Sequence, residues 1–299
     1  TGRSRDSVAT IQSEQDASIR AELAGALVVQ GGPGTGKTAV ALHRAAYLLY
    51  AHRRLLERSG VLLVGPSLSF LRYIDQVLPS LGETGVVSTT IADLLPGVVA
   101  DGEEDPGGAR VTGRAVMARA VRRAVRARER VPAADVPVRL DGHDLVIRRR
   151  DVRDAIAKAR RTHKPHNLAR VTFVREMLSR LVEQYGRQLG EPLVGEDRAL
   201  ALEDLRSHRD VRVALNLAWL PLTPERLVED LWTKPHRLAE AAPELSPEDR
   251  RLLERPKGAP WTPADVPLLD EAAELLGEDD QAERAEAAAR AAPRAPGRA

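Results

Sequence analysis

Cysteine is absent from this 299-residue chain, which excludes disulfides and cysteine-ligated zinc or iron–sulfur centres. Aromatic residues make up only 3%, so a core must come from the leucine, valine and alanine of the 43% apolar fraction. Lysine is scarce as well. Lys37, Lys158, Lys164, Lys234 and Lys257 stand among 45 basic residues, the rest arginine. With so much alanine and proline, that skew reads as the mark of a GC-rich genome, not of a function. Long apolar runs are missing, and the best of them, such as VLLVG, fall far short of the ~20 residues a membrane-spanning helix needs. A strong charge of one sign is missing too: the formal net charge is +2, which offers no global field for steering polyanions. The opening residues, TGRSRDSVATIQ, contain neither an initiator methionine nor the apolar stretch of a signal peptide. The expectation is a soluble, cytoplasmic protein that lacks some upstream sequence and has no membrane partner.

What is present begins with an α/β pattern over the first hundred residues. The run ALVVQ (26–30) ends in glycines and reads as a buried strand. Apolar residues at helical spacing follow from Thr38 to Arg58, with Gly60 as the stop signal. VLLVGP (61–66) predicts a second strand, Ser67 or Ser69 a cap for the helix FLRYIDQVLPSL, and VVSTT (86–90) a third strand. Strand, helix and strand at this spacing predict a βαβ unit and a parallel sheet.

Residues 31–38, GGPGTGKT, match the phosphate-binding pattern G-x-x-x-x-G-K-[ST] in full. Gly31, Gly32, Gly34 and Gly36, with Pro33 and Thr35 between them, let the backbone curl so that successive N–H groups point at a polyphosphate. A helix starting at Lys37 turns its positive end toward the same anion. Lys37 would reach the outer phosphates as a point charge, and the Thr38 hydroxyl would ligate Mg²⁺. Upstream, Gln15 has an amide that can read an adenine edge, one donor and one acceptor; the plain alternative is a solvated helical residue.

At DGEEDPGG (101–108) the composition changes. GRAVMARAVRRAVRARER (113–130) places Val116, Ala120, Val121, Ala124 and Val125 on one face of a helix. VPVRLDGHDLVIR (136–148) predicts a hairpin about Asp141-Gly142, and Asp151 a helix cap. From 172 to 276 successive amphipathic helices are punctuated by proline, and the tail beyond is of low complexity. Between 110 and 175 stand 19 Lys/Arg against 6 Asp/Glu. This excess suits a nucleic-acid backbone or an acidic protein face about evenly, because only Phe173 supplies a ring for stacking, with a simply solvated face as the third reading. His163 and His166 have a metal-like spacing but no evident third ligand. Trp219, Trp232 and Trp261 read as packing anchors.

Taken together, IQSEQDASIR, GGPGTGKTAVALHRAAYLLY and GPSLSFLRYIDQVLPSLGETGV resemble superfamily 1 helicase-like ATPases of the UvrD/Rep group. They are most similar to the HelD branch, motor-like ATPases that bind bacterial RNA polymerase. LNLAWLPLTPERLVEDLW and RPKGAPWTPADVPLLDEAAELLG look like the same branch, so the resemblance covers residues 6–280. It implies a P-loop NTPase (RecA-like) fold, α/β with a parallel sheet and a large mainly helical insertion. Residues 1–100 would begin the ATPase domain, 101–260 would form the insertion, 261–280 would return toward the ATPase domain, and 281–299 would be tail. ATP and Mg²⁺ would be the cofactors, Gln15 the adenine reader, and RNA polymerase, with DNA, the partners. Ser67 and Phe70, then Thr89 and Thr90, fall where true helicases touch single-stranded nucleic acid. One departure is Ala39, where UvrD-type relatives often carry arginine.

Hydrolysis also needs an acidic pair on a strand end. The one pair after an apolar run, Asp270-Glu271, follows Pro267, which a central strand does not tolerate. Leu268, Leu269, Ala272, Leu275 and Leu276 fall instead on a helical face, with Asp265 as the expected cap. The sequence therefore predicts a chain that holds a nucleotide without the acids and arginine fingers that fire it. A different P-loop kinase or NTPase, and a catalytically silent binding protein, stay open as alternatives.

Overall fold

The computed structural model describes residues 14–77, 86–103 and 105–277. The chain divides into two compact units, Thr1–Val98 and Val99–Ala299. The tail 281–299 and the segment 78–85 lie outside the described residues.

In the first unit a helical stretch, α1 (14–20), precedes the glycine-rich loop. Next come α2 (Lys37–Ala51), α3 (Arg53–Ser59), β1 (Val61–Gly65), α4 (Leu68–Val77) and β2 (Val86–Thr90). The predicted helix from Thr38 is broken in two at His52, whose backbone leaves helical geometry. Gly60 closes α3 as its spacing requires, with φ 69°. β1 and β2 pair in parallel, Val61 opposite Val86 through to Gly65 opposite Thr90, with α4 as the crossover. Ser67 is the serine that caps α4, its hydroxyl accepting from the Phe70 amide at 3.2 Å. The sheet buries one face: Leu63 and Val86 pack with Phe70 on the fully or nearly buried Leu42 and Ile74.

The expected strand at 26–30 is not formed. Its residues join no ladder, and Val28 is 87% exposed. An apolar run becomes a strand only where a neighbouring strand supplies hydrogen-bond partners, and among the described residues β1 and β2 pair only with each other. The structure is thus a mixed α/β fold with a small parallel sheet.

The second unit is mainly helical: α5 (Pro106–Thr112), α6 (Val116–Arg126), β3 (Val136–Leu140), β4 (His143–Ile147), α7 (Arg149–Arg160), α8 (His166–Leu189), α9 (Gly195–Ser207), α10 (Arg209–Ala218), α11 (Pro224–Thr233), α12 (Pro235–Ala241), α13 (Pro247–Leu252) and α14 (Val266–Leu276). Proline stands in the first turn of α5, α11, α12, α13 and α14, where its missing N–H costs nothing. The hairpin turns at Asp141 and Gly142, φ 48° and 82°, as a type I′ turn does. Its outer edges are closed by side chains. The Gln184 amide both donates to and accepts from the Val146 backbone, and His208 meets the Arg139 carbonyl at 3.1 Å. Pro137 removes a donor from the β3 edge, the same one that His208 meets, so the two strands offer little to a further one.

Behind the hairpin, α7 and α8 build a core around Phe173, Met177 and Leu181, and Trp219 stacks on Phe173 at 5.5 Å. Trp232 is likewise buried and Trp261 half-buried, as packing anchors are. Asp151 does not cap α7. It lies in the first turn, largely buried, and accepts from Arg180 at 2.9 Å, while Arg148 holds the cap position. The α6 face is buried as expected at Ala120, Val121, Ala124 and Val125, with Met117 added. α14 packs on α6 and α11 inside this second unit.

Ion pairs across this unit bias it against acid. Arg123 hydrogen bonds hold the Glu244 carboxyl down to about 2, and Arg114 lowers Asp249 in the same way. Lys158 and then Arg180 lower Glu176. Burial works to raise Glu129, but His166 and Arg160 outweigh it and its titration lies below the ordinary range. A carboxylate whose folded-state value is depressed stabilises the fold above its unfolded value and loses that contribution as pH falls through the folded one. The melting temperature should therefore drop as pH is lowered from 4.5 toward about 2. In Glu244→Gln the slope over that window should be shallower in a calorimetric pH series; an unchanged slope would mean that the Arg123 pair contributes nothing.

Candidate functional site

The glycine-rich loop owes its shape to two left-handed residues, Gly34 at φ 76° and Gly36 at φ 81°, a region that side chains with a Cβ rarely adopt. Gly36 is also the residue before α2, so the helix starts at Lys37 directly out of the loop. The first intrahelical bond of α2 runs from the Val40 amide to the Gly36 carbonyl at 2.9 Å. Among the described residues, no protein oxygen accepts from the backbone amides of Gly34, Thr35, Gly36, Lys37, Thr38 or Ala39. A helix start leaves its first N–H groups unclaimed, and here the curled loop extends the row.

Lys37 turns its ammonium back onto the loop, donating to the carbonyls of Gly31 at 2.7 Å and Gly32 at 2.6 Å. Thr35 closes the turn through its hydroxyl, which donates to Gly32 at 2.9 Å. The carbonyls of the loop are thus engaged by side chains while its amides are not, an arrangement that attracts anions. Space around Gly32 and Gly34 is open, with no atom within 4 Å of where a Cβ would stand. Thr38 is exposed on the first turn of α2, its hydroxyl accessible to an ion.

Gln15, twenty residues upstream, is brought to the loop. Its amide nitrogen donates to the Thr35 carbonyl at 3.1 Å and lies 3.2 Å from the Cβ position of Gly36. The amide oxygen and the second N–H stay available for recognition. What holds α1 there is Arg44, which the motif reading did not single out. Its guanidinium donates to the carbonyls of Ser18, Ile19, Ala21 and Glu22 at 2.7–3.3 Å, gathering the end of α1 onto α2. Arg20 adds a contact over the Tyr47 ring at 5.7 Å. The only signal in the sequence was an arginine beside His43 in a mostly apolar stretch of helix, VALHRAAYLL.

The other expected residues are placed less suggestively. The Ser67 hydroxyl is spent on the α4 cap, and Phe70 is half-buried in the small core. Thr89 bonds the Thr90 carbonyl, and Thr90, 8% exposed, donates to Asp93 at 2.6 Å. Asp270 and Glu271 lie on helix α14, not at a strand end; Glu271 sits 3.3 Å from Arg122 and Asp270 is exposed. His166 packs against Trp219 and meets the Leu220 carbonyl at 2.9 Å, while His163 occupies a left-handed turn before α8.

No helix among the described residues is long and apolar enough to cross a membrane. No protein-family model matches this chain, and no curated protein is similar to it at a significant level.

Proposed function

We propose that the first unit binds the polyphosphate of a nucleoside triphosphate, ATP with Mg²⁺. The observation that carries this reading is the row of unclaimed amides from Gly34 to Ala39, set at the start of α2 with Lys37 folded beside it. The donors fit a polyphosphate: backbone N–H groups for its oxygens, an ammonium for its outer charge, and the Thr38 hydroxyl as one Mg²⁺ ligand. Bound Mg²⁺ would neutralise phosphate charge. Gln15, held by Arg44, would read the adenine edge. On the resemblance, the whole protein would be a HelD-like, UvrD/Rep-related ATPase that couples hydrolysis to remodelling RNA polymerase or to movement on DNA.

Equilibrium titration of the chain with a fluorescent ATP analogue, with and without Mg²⁺, tests the reading. Saturable binding displaced by ATP is expected; no displaceable binding at millimolar nucleotide would end it. Phosphoryl transfer to a small acceptor would instead favour a P-loop kinase.

Arg44→Met separates recognition of the base from recognition of phosphate. With α1 released, the preference for ATP over GTP should fall about fivefold to tenfold, ~1 kcal/mol. Pyrophosphate affinity should stay as it was, since the loop keeps its amides. Parallel weakening of ATP, GTP and pyrophosphate would show that Arg44 supports the loop itself and does not position Gln15.

A further inference from the structure

We propose that the second unit carries a separate binding site for a phosphate dianion, free or as a terminal monoester, in the arginine-lined cleft between the end of α6 and helices α11 and α12. The cleft measures about 310 Å³ and is lined by Arg123, Arg126, Arg128, Arg130 and Arg237, with Glu240 as its one acidic residue. At its back the buried Asp230 carboxylate receives Arg128 at 2.9 Å, Lys234 at 2.5 Å and Arg237. Arg226 stands 3.9 Å away from it as well. One carboxylate cancels one charge, so three cations in contact leave an excess of two.

Lys234 and Arg237 are 35% and 24% exposed, so water meets part of their charge, but Arg128 is buried, and a buried cation with incomplete hydrogen bonding is costly unless an anion completes it. Arg128 marks where the compensation is incomplete. It is 5% exposed, and its Nε–H has no hydrogen-bond partner among the described residues. At the mouth, the exposed Arg126 side chain has no partner among the described residues, and Arg130 spends only Nε, on the Ala127 carbonyl at 2.8 Å.

The chemistry of the missing anion follows from the count. A carboxylate brings one charge and two oxygens. A phosphate monoester brings nearly two charges at neutral pH and three acceptor oxygens, which planar guanidinium forks bind in pairs. No aromatic ring lines the cleft, so a base is not stacked there and the phosphoryl group alone is read. The occupant is free phosphate or the phosphorylated end of a polynucleotide. The site does not depend on the glycine-rich loop.

The test is calorimetric titration of the full chain carrying Lys37→Ala, so that the loop does not contribute. Inorganic phosphate is one probe, and a 5′-phosphorylated duplex oligonucleotide with its 5′-hydroxyl twin is the other. Phosphate should bind in preference to acetate at equal ionic strength. Adding Arg126→Gln and Arg130→Gln, both exposed positions, should weaken it at least tenfold with unaltered tryptophan-monitored unfolding. A gain of the phosphorylated duplex over its twin identifies a chain end as the source; binding of phosphate without that gain identifies the free ion. The proposal is overturned if phosphate does not bind, if acetate or an acidic peptide binds equally well, or if the two substitutions leave affinity unchanged.

Discussion

Lys37→Ala is expected to weaken binding of ATP with Mg²⁺ roughly a hundredfold, ~3 kcal/mol, the scale on which a charged partner is lost from a desolvated contact. The ammonium sits 2.7 and 2.6 Å from two loop carbonyls, so it lies over the loop and need only swing away from them to meet a phosphate. Its loss removes that charge and leaves the Gly31 and Gly32 oxygens facing any bound anion uncovered. Arginine should not restore the site. The carbonyls of adjacent residues converge on one point donor, and a planar guanidinium spreads its charge over a fork that does not fit between them. Lys37→Arg should bind within about tenfold of the alanine variant, as read by the same displacement titration. If either variant keeps wild-type affinity, the nucleotide is not bound at this loop.

The loop was legible because its signals are local: glycines that take positive φ, a lysine and a threonine at a helix start. The same holds for the hairpin at Asp141-Gly142, for Gly60, and for the prolines that punctuate the helices from α11 to α14. The parallel pairing of β1 and β2 through α4 also followed from strand-helix-strand spacing. The run at 26–30 was misread because apolarity reports the wish to be buried and not the presence of a ladder partner. Leu62, Val64 and Val87 make the same point, each about half or more exposed on the uncovered face of the sheet. Arg44 was not singled out, and the use of the Asp151 side chain and the Arg128 partner of Asp230 could not be read, for another reason. Their partners are 22–26, 29 and 102 residues away for Glu22 to Ser18, Arg180 and Arg128, and charge at such distances carries no period. Asp265 was read as a cap from its place before Pro267; the place was right and the use of its side chain was not.

Asp265→Ala is expected to cost about 3–5 kcal/mol of the second unit's stability, the range for removing one partner of a buried ion pair. The side chain is fully buried and its carboxylate makes no cap bond to α14. It faces back instead, accepting from Arg255 at 2.5 and 3.1 Å and from the amide and hydroxyl of Thr262 at 2.8 and 3.0 Å. Arg255 in turn lies over the Trp232 ring at 5.6 Å, so the carboxylate ties the start of α14 to the end of α11. Alanine would strand the guanidinium against an apolar wall and leave two Thr262 donors without an acceptor. Asparagine keeps the shape and one acceptor oxygen but not the charge, so it should cost less than alanine and more than a surface change. All three tryptophans belong to this unit, which makes urea unfolding followed by tryptophan fluorescence a direct reading of it. A loss under ~1 kcal/mol for alanine would mean that water or a rearranged Arg255 replaces the carboxylate readily. The contact would then not be what holds α14 against α6 and α11, and the packing of Leu268, Leu269 and Ala272 would have to hold it alone.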